Sequence, residues 1–298
     1  IADRAKFGSW MVFAGIWVTV VYFPVAAWVW GGGWAMELGS LLGGFPEVID
    51  YAGGTAVHIN AGAAALALSL VLGRRVVFSK GAHKPHNVPL VLLGAALLWF
   101  GWFGFNAGAE FLAEGMPGVG LIVVNTLGAT SAAILGWMII EKLKDGKATA
   151  VGAASGAVTG LVAITPACAN LTPGWALVLG VVAGVISALA VDLKFKLGYD
   201  DSLDVVGIHL VAGMVGTLYL GLFATDTGLF TGGDFGQLTV QAIAAFGILA
   251  YSFVVALVLG FAIEKTMGFR VTSEDEVAGI DTVVHGEEGY QLEEDARV

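Results

Sequence analysis

Charge is scarce in this sequence. Lysine, arginine, aspartate and glutamate together make up 13% of the 298 residues, whereas a soluble domain carries roughly a quarter. Cysteine is nearly absent. Cys168 stands alone, which excludes a disulfide framework and a thiolate metal site. No basic stripe exists along the chain, so nucleic acid is not an expected partner. No signal peptide is visible, and the chain opens Ile-Ala-Asp-Arg without an initiator methionine, so an upstream part is expected. Nothing in the composition calls for a cofactor, and no enzymatic constellation stands out.

What the sequence has instead is apolar length. Hydrophobic residues make up 57% and the mean hydropathy is +0.83. Apolar runs of about 20 residues, each long enough to cross a bilayer, recur along the chain. They predict an all-α polytopic membrane protein with eight spans: Ser9–Trp30, Gly53–Leu72, Val88–Gly108, Val119–Ile140, Ala148–Ile164, Gly174–Val191, Asp204–Phe223 and Gln237–Glu264. Glycine is abundant, at 44 residues. In lipid it lets helix backbones approach closely. Gly152, Gly156 and Gly160 form one ridge, and Gly180 and Gly184 a second.

The basic residues set a direction. All fourteen fall at alternate ends of the eight spans: Arg4 and Lys6; Arg74, Arg75, Lys80 and Lys84; Lys142, Lys144 and Lys147; Lys194 and Lys196; Lys265, Arg270 and Arg297. The intervening loops, 31–52, 109–118, 165–173 and 224–236, hold no Lys or Arg. The positive-inside rule makes the basic side cytoplasmic, with both chain ends on it. The other side carries Glu37, Glu47, Asp50, Glu110, Glu114, Asp226 and Asp234. These either draw a cation towards a pore mouth or merely form a solvated surface. The net charge of −10 comes mostly from residues 271–298, which hold nine acids and one base. The chain therefore divides into a transmembrane domain, 1–270, and an acidic cytoplasmic C-terminal tail, 271–298.

Two histidines lie at membrane depth. His83, His86 and His285 fall in loops or tail, whereas His58 and His209 sit within apolar spans. Their surroundings repeat: His58-Ile-Asn-Ala-Gly62 and His209-Leu-Val-Ala-Gly213 share H-x-x-A-G. Each follows an acidic residue, Asp50 and Asp204. The second and seventh spans run in opposite directions, which is the mark of an inverted-topology repeat with equivalent residues near one central site. The plain alternative is a hydrogen-bonded pair between packed helices. Two imidazoles without further ligands at depth make a poor metal site. As a pair they donate and accept hydrogen bonds without placing a permanent charge in lipid.

Longer motifs carry a resemblance. Trp30-Gly-Gly-Gly33, Asp50-Tyr-Ala-Gly-Gly-Thr-Ala-Val-His58-Ile-Asn60, Lys84-Pro-His-Asn87, Gly101-Trp-Phe-Gly-Phe-Asn-Ala-Gly108, Thr165-Pro-Ala-Cys168 and Asp204-Val-Val-Gly-Ile-His209 occur in order. In these the chain resembles the Amt/Mep/Rh ammonium transporters, over nearly its whole length and into the tail. The resemblance implies a fold of eleven helices built from inverted five-helix repeats. Eight of them are present here, from the fourth onward. It also implies a homotrimer with one pore per subunit.

What the resemblance implies for residues is specific. His58 and His209 match the twin pore histidines. Phe105 matches the inner of two phenyl rings that close the outer pore. Trp30 matches a vestibule aromatic that attracts ammonium through its face. Asp50 matches an acidic residue needed for transport, and Trp102 and Val205 match pore-lining positions. Read alone, Trp30 is an interfacial anchor, Phe105 is core packing and Asp50 is an N-cap. Asp204 reads as a cap rather than a pore residue. The sequence departs from the family at Ala109, where a serine often stands; Glu110 follows. The implied function is ammonium or ammonia transport across the cell membrane, with the recruited cation deprotonated before a hydrophobic lumen. The implied partners are the lipid bilayer and a PII signal protein at the cytoplasmic face. An ammonium sensor on the same fold and a neutral Rh-type gas channel remain alternatives.

Overall fold

A computed structural model describes residues 1–78, 85–112 and 116–290. Lys80, His83, Lys84, Glu114 and Arg297, named above, lie outside them. The described residues form a helical bundle: α1 Phe7–Trp30, α2 Gly54–Leu72, α3 Val88–Glu110, α4 Val119–Asp145, α5 Ala150–Ile164, α6 Pro173–Leu197, α7 Val206–Phe223 and α8 Phe235–Thr266. A short α9, Ser273–Ala278, follows. The helices start where the sequence offers a cap. Asn87 accepts from the Leu90 N–H at 3.0 Å, Thr149 from Gly152 at 2.9 Å and Asp234 from Gly236 at 2.7 Å.

Seven of these helices are long and apolar enough to cross a membrane. The chain is a multi-pass membrane protein. The expected fifth span is the departure: α5 has 15 residues, or about 22 Å of helix against a hydrocarbon core of about 30 Å. Residues 159–164 are all buried, so the second half of α5 is enclosed by protein. An enclosed helix has no need to match the thickness of the lipid.

The glycine ridges press onto α4. A Cβ on Gly160 of α5 would lie 2.7 Å from the Thr130 Cα, and one on Gly180 or Gly184 of α6 would lie 2.2 Å or 2.3 Å from the carbonyl oxygens of Ala129 and Ala133. Any larger residue would force these helices apart, so the small side chains set the interhelical distance.

The basic ends of several helices meet. Arg75 pairs with the buried Asp200 at 2.9 Å, and Arg4, wholly buried, donates to the Gly73 and Asp200 carbonyls. Arg74 donates to Gly198 O, and Arg270 to Leu72 O and to Glu276. Burial alone would raise the Asp200 carboxyl, but hydrogen bonds from Arg75 outweigh it and hold the carboxyl below its usual range. Glu276 of α9 also accepts from the Val76 N–H at 2.6 Å, which docks the start of the acidic segment against this end of the bundle.

Candidate functional site at a crossing of two helices

Both histidine-bearing helices begin with a wide π-helical turn, Gly54–Ile59 in α2 and Val206–Val211 in α7. Such turns leave N–H groups at the helix start that need acceptors. Asp50 supplies them for α2. Its carboxylate accepts from the N–H groups of Gly53, Gly54, Thr55 and Ala56 at 2.9, 2.5, 2.9 and 3.1 Å, and from the Thr55 hydroxyl. Asp50 is therefore consumed as a cap.

The capping residue of α7 is Asp201, which accepts from the Val206 N–H at 2.7 Å. This corrects the pairing of Asp50 with Asp204. Asp204 does not cap the helix. It has a left-handed φ of 59° and accepts from Lys194 at 2.5 Å. Asp201 stands eight residues before His209, as Asp50 stands eight before His58. Matching that spacing identifies Asp201 from sequence; adjacency in the motif drew attention to Asp204.

The shared H-x-x-A-G motif is the crossing itself. A Cβ on Gly62 would lie 2.5 Å from the Leu210 N and Cβ, and one on Gly213 would lie 3.1 Å from the His58 Cβ. Each glycine thus receives the other helix at or next to its histidine. The result is a direct contact: His58 Nδ1 and His209 Nδ1 are 3.2 Å apart, with ring centroids at 5.3 Å. His58 is 3% exposed, and its Nε2 has no partner among the described residues.

Aromatic side chains of α3 complete the walls. The Trp102 indole stacks on His58 at 5.5 Å and 15° between planes, and Phe105 lies 6.1 Å from His58 and 5.3 Å from Trp102. A buried polar chain holds that indole. Trp102 Nε1–H donates to the Thr165 hydroxyl at 2.9 Å, Thr165 lies 3.3 Å from Asn106 Oδ1, and Asn106 donates to Thr126 at 3.0 Å. Thr165 and Asn106 lie within the quoted motifs, but the network that joins them is visible only in three dimensions.

On the side away from the basic end, a cavity of about 870 Å³ opens against Phe105. Trp30, Glu37, Glu47, Asp50 and Tyr51 also line it. Trp30 is 40% exposed, and its indole N–H donates to the Asp50 carbonyl at 2.8 Å. The extended segment before Asp50 is clamped by α8. Gln241 accepts from the Ile49 N–H at 2.7 Å and donates back to Ile49 O at 2.8 Å, while Gln237 donates to Glu47 O at 3.0 Å. His58, His209, Trp102 and Phe105 are thus one cluster, and Trp30 and Asp50 stand at its outer approach. Val205 lies at the opposite, basic end, half-buried just before the α7 π-turn.

A sequence model described as Ammonium Transporter Family matches residues 1–290. The chain belongs to the ammonium transporter family. The ammonium transporter of Mycobacterium tuberculosis is 53% identical over 305 residues, covering 98% of this chain and 64% of the relative. The chain therefore spans about two thirds of such a relative's length. The crystal structure of Candida albicans Mep2 superposes with a TM-score of 0.81 at 35% identity, over 91% of this chain and 61% of that one. A solved structure described as a sensor Amt protein superposes at 0.85 with 30% identity, covering 95% and 71%. The ammonium transporter fold thus accounts for the helical bundle, and the family is one of transporters rather than enzymes.

Proposed function

We propose that this chain carries the conducting centre of an ammonium transporter, in which ammonia passes the His58–His209 pair and its proton is separated before entry. The observation that carries this reading is the imidazole contact of 3.2 Å between oppositely directed helices that begin in π-helical turns, with a buried His58 Nε2 left without a partner among the described residues. A neutral imidazole has one N–H. When one Nδ1–H is shared with the other Nδ1, the donor ring presents a bare Nε2 and the acceptor ring an Nε2–H. The pair then offers one acceptor and one donor to a small polar solute, which suits ammonia. An ammonium ion would have to shed its hydration in an apolar lumen, at large cost.

In this reading Trp30 and Phe105 attract the cation through their faces in the outer cavity. Trp102 and Val205 line the path. Asp50 is a positioning residue: its carboxylate fixes the start of α2 and its carbonyl holds Trp30. The basic end faces the cytoplasm, as does the acidic tail, 271–298, beyond the membrane domain. A homotrimer and a PII-type partner at that face are part of the same proposal. The likeness to a sensor Amt protein favours one second reading, ammonium sensing on this fold.

The test is ammonium-evoked current in proteoliposomes carrying the intact gene product. Replacing His58 or His209 with alanine abolishes the current or changes its ion selectivity. Unchanged conduction and selectivity in both variants discards the lumen assignment. A native protein that binds ammonium without flux favours sensing.

A further inference from the structure

Tyr51, which lines the outer cavity, is paired with Glu110, and the reading above uses neither. Tyr51 lines the cavity beside Ala109, which has no side-chain oxygen to offer. The Tyr51 hydroxyl donates to Glu110 Oε2, and Glu110 Oε1 accepts from the Gly118 N–H at 2.9 Å. The backbone of this segment is fixed as well: the Tyr51 and Ala52 N–H groups donate to the Pro166 and Thr165 carbonyls at 3.1 and 3.2 Å.

A hydroxyl whose hydrogen is committed to a carboxylate has only lone pairs left. The donated bond also polarises the oxygen, making it a better acceptor. We infer that the Tyr51 hydroxyl, backed by Glu110, is an additional acceptor for an ammonium-type cation in the outer cavity; this rests on the transport reading. The ligand class is set by the surroundings: N–H donors meet the Tyr51 oxygen while the charge meets the faces of Trp30 and Phe105. Potassium can coordinate the same oxygen, but it forms no directed N–H bond to it and gains less. Burial, together with the Glu110 hydrogen bond, pushes the Tyr51 phenol well above its usual range, so the phenol keeps its proton.

The test is titration calorimetry of the purified gene product with ammonium chloride, against sodium and potassium chloride at equal ionic strength. Tyr51→Phe removes the acceptor. Glu110→Gln removes the charge yet keeps a carbonyl oxygen that accepts from Tyr51, so a folded variant is at hand. Each weakens ammonium binding about tenfold, the double variant is little weaker than either single one, and potassium binding falls by a smaller factor than ammonium binding in Tyr51→Phe. Ammonium affinity that is unchanged in both variants, or absent in the native protein, overturns the inference. Proteoliposome currents recorded in parallel report on the transport reading: histidine variants that conduct normally refute that reading even where the binding shifts appear.

Discussion

Replacing Gly62 with alanine tests the crossing directly. The added Cβ would lie 2.5 Å from the Leu210 N and Cβ, and 2.7 Å from its Cα. Those are backbone atoms and a side-chain root, so no rotamer change relieves the clash. Ordinary contact begins near 3.4 Å, so the two helices must part by about 0.9 Å. Leu210 follows His209, and the same displacement carried to the rings opens the 3.2 Å nitrogen contact to about 4 Å, beyond hydrogen-bond range. The stability cost of such overpacking is about 1–3 kcal/mol, too small to unfold most proteins. The expected result is a folded variant with a modestly lower melting temperature and a severely reduced ammonium current. Gly213→Ala is milder, because its Cβ would lie 3.1 Å from the His58 Cβ. Gly101→Ala in α3 meets nothing within 4 Å among the described residues and leaves the current intact. A Gly62→Ala protein that conducts like Gly101→Ala refutes the claim that backbone approach sets the histidine geometry.

Asp201→Ala, which removes the α7 cap, lowers stability by about 1 kcal/mol. Asp50→Ala strands four buried N–H groups and lowers stability by at least roughly twice that; denaturation in detergent reads the difference, and equal losses would contradict the assigned caps. Acid should weaken the basic end of the bundle. The Asp200 carboxyl is held below its ordinary range by Arg75, so its stabilisation is complete above about pH 4 and disappears as pH falls through the depressed native value. The melting temperature of the native protein therefore drops below about pH 4, while Asp200→Asn starts lower and shows a flatter acid limb.

Several elements were legible from residue pattern alone because bilayer thickness and helix rise constrain length. The bounds of α1, α2 and α3 fall within a few residues of the apolar runs. α5 follows its apolar run within two residues, but its shortness was not anticipated, because hydropathy reports apolar character and an enclosed helix is as apolar as a lipid-facing one. The repeated H-x-x-A-G and the parity of their helices placed His58 and His209 near one centre; the contact itself is visible only in three dimensions. The partner acid was misassigned because Asp204 opens the apolar run, while Asp201 stands in the polar turn before it. Read alone, Asp50 was an N-cap, and its carboxylate does cap α2; that it takes four main-chain donors is a saturation no linear pattern reports. The Tyr51–Glu110 pair joins residues 59 apart in sequence, and the network from Trp102 to Thr126 draws on three segments. Both depend on long-range packing that periodicity does not encode.

The clamp formed by Gln237 and Gln241 has a consequence for ion traffic. Lysine or arginine could have tied down the rim segment Glu47–Ile49, as arginines do at the other end of the bundle, but a fixed positive group there would repel an arriving cation and compete for every carbonyl it needs. Carboxamides hold the same strand with no net charge. The entrance is thereby stiffened while its electrostatic potential is left to the incoming ion.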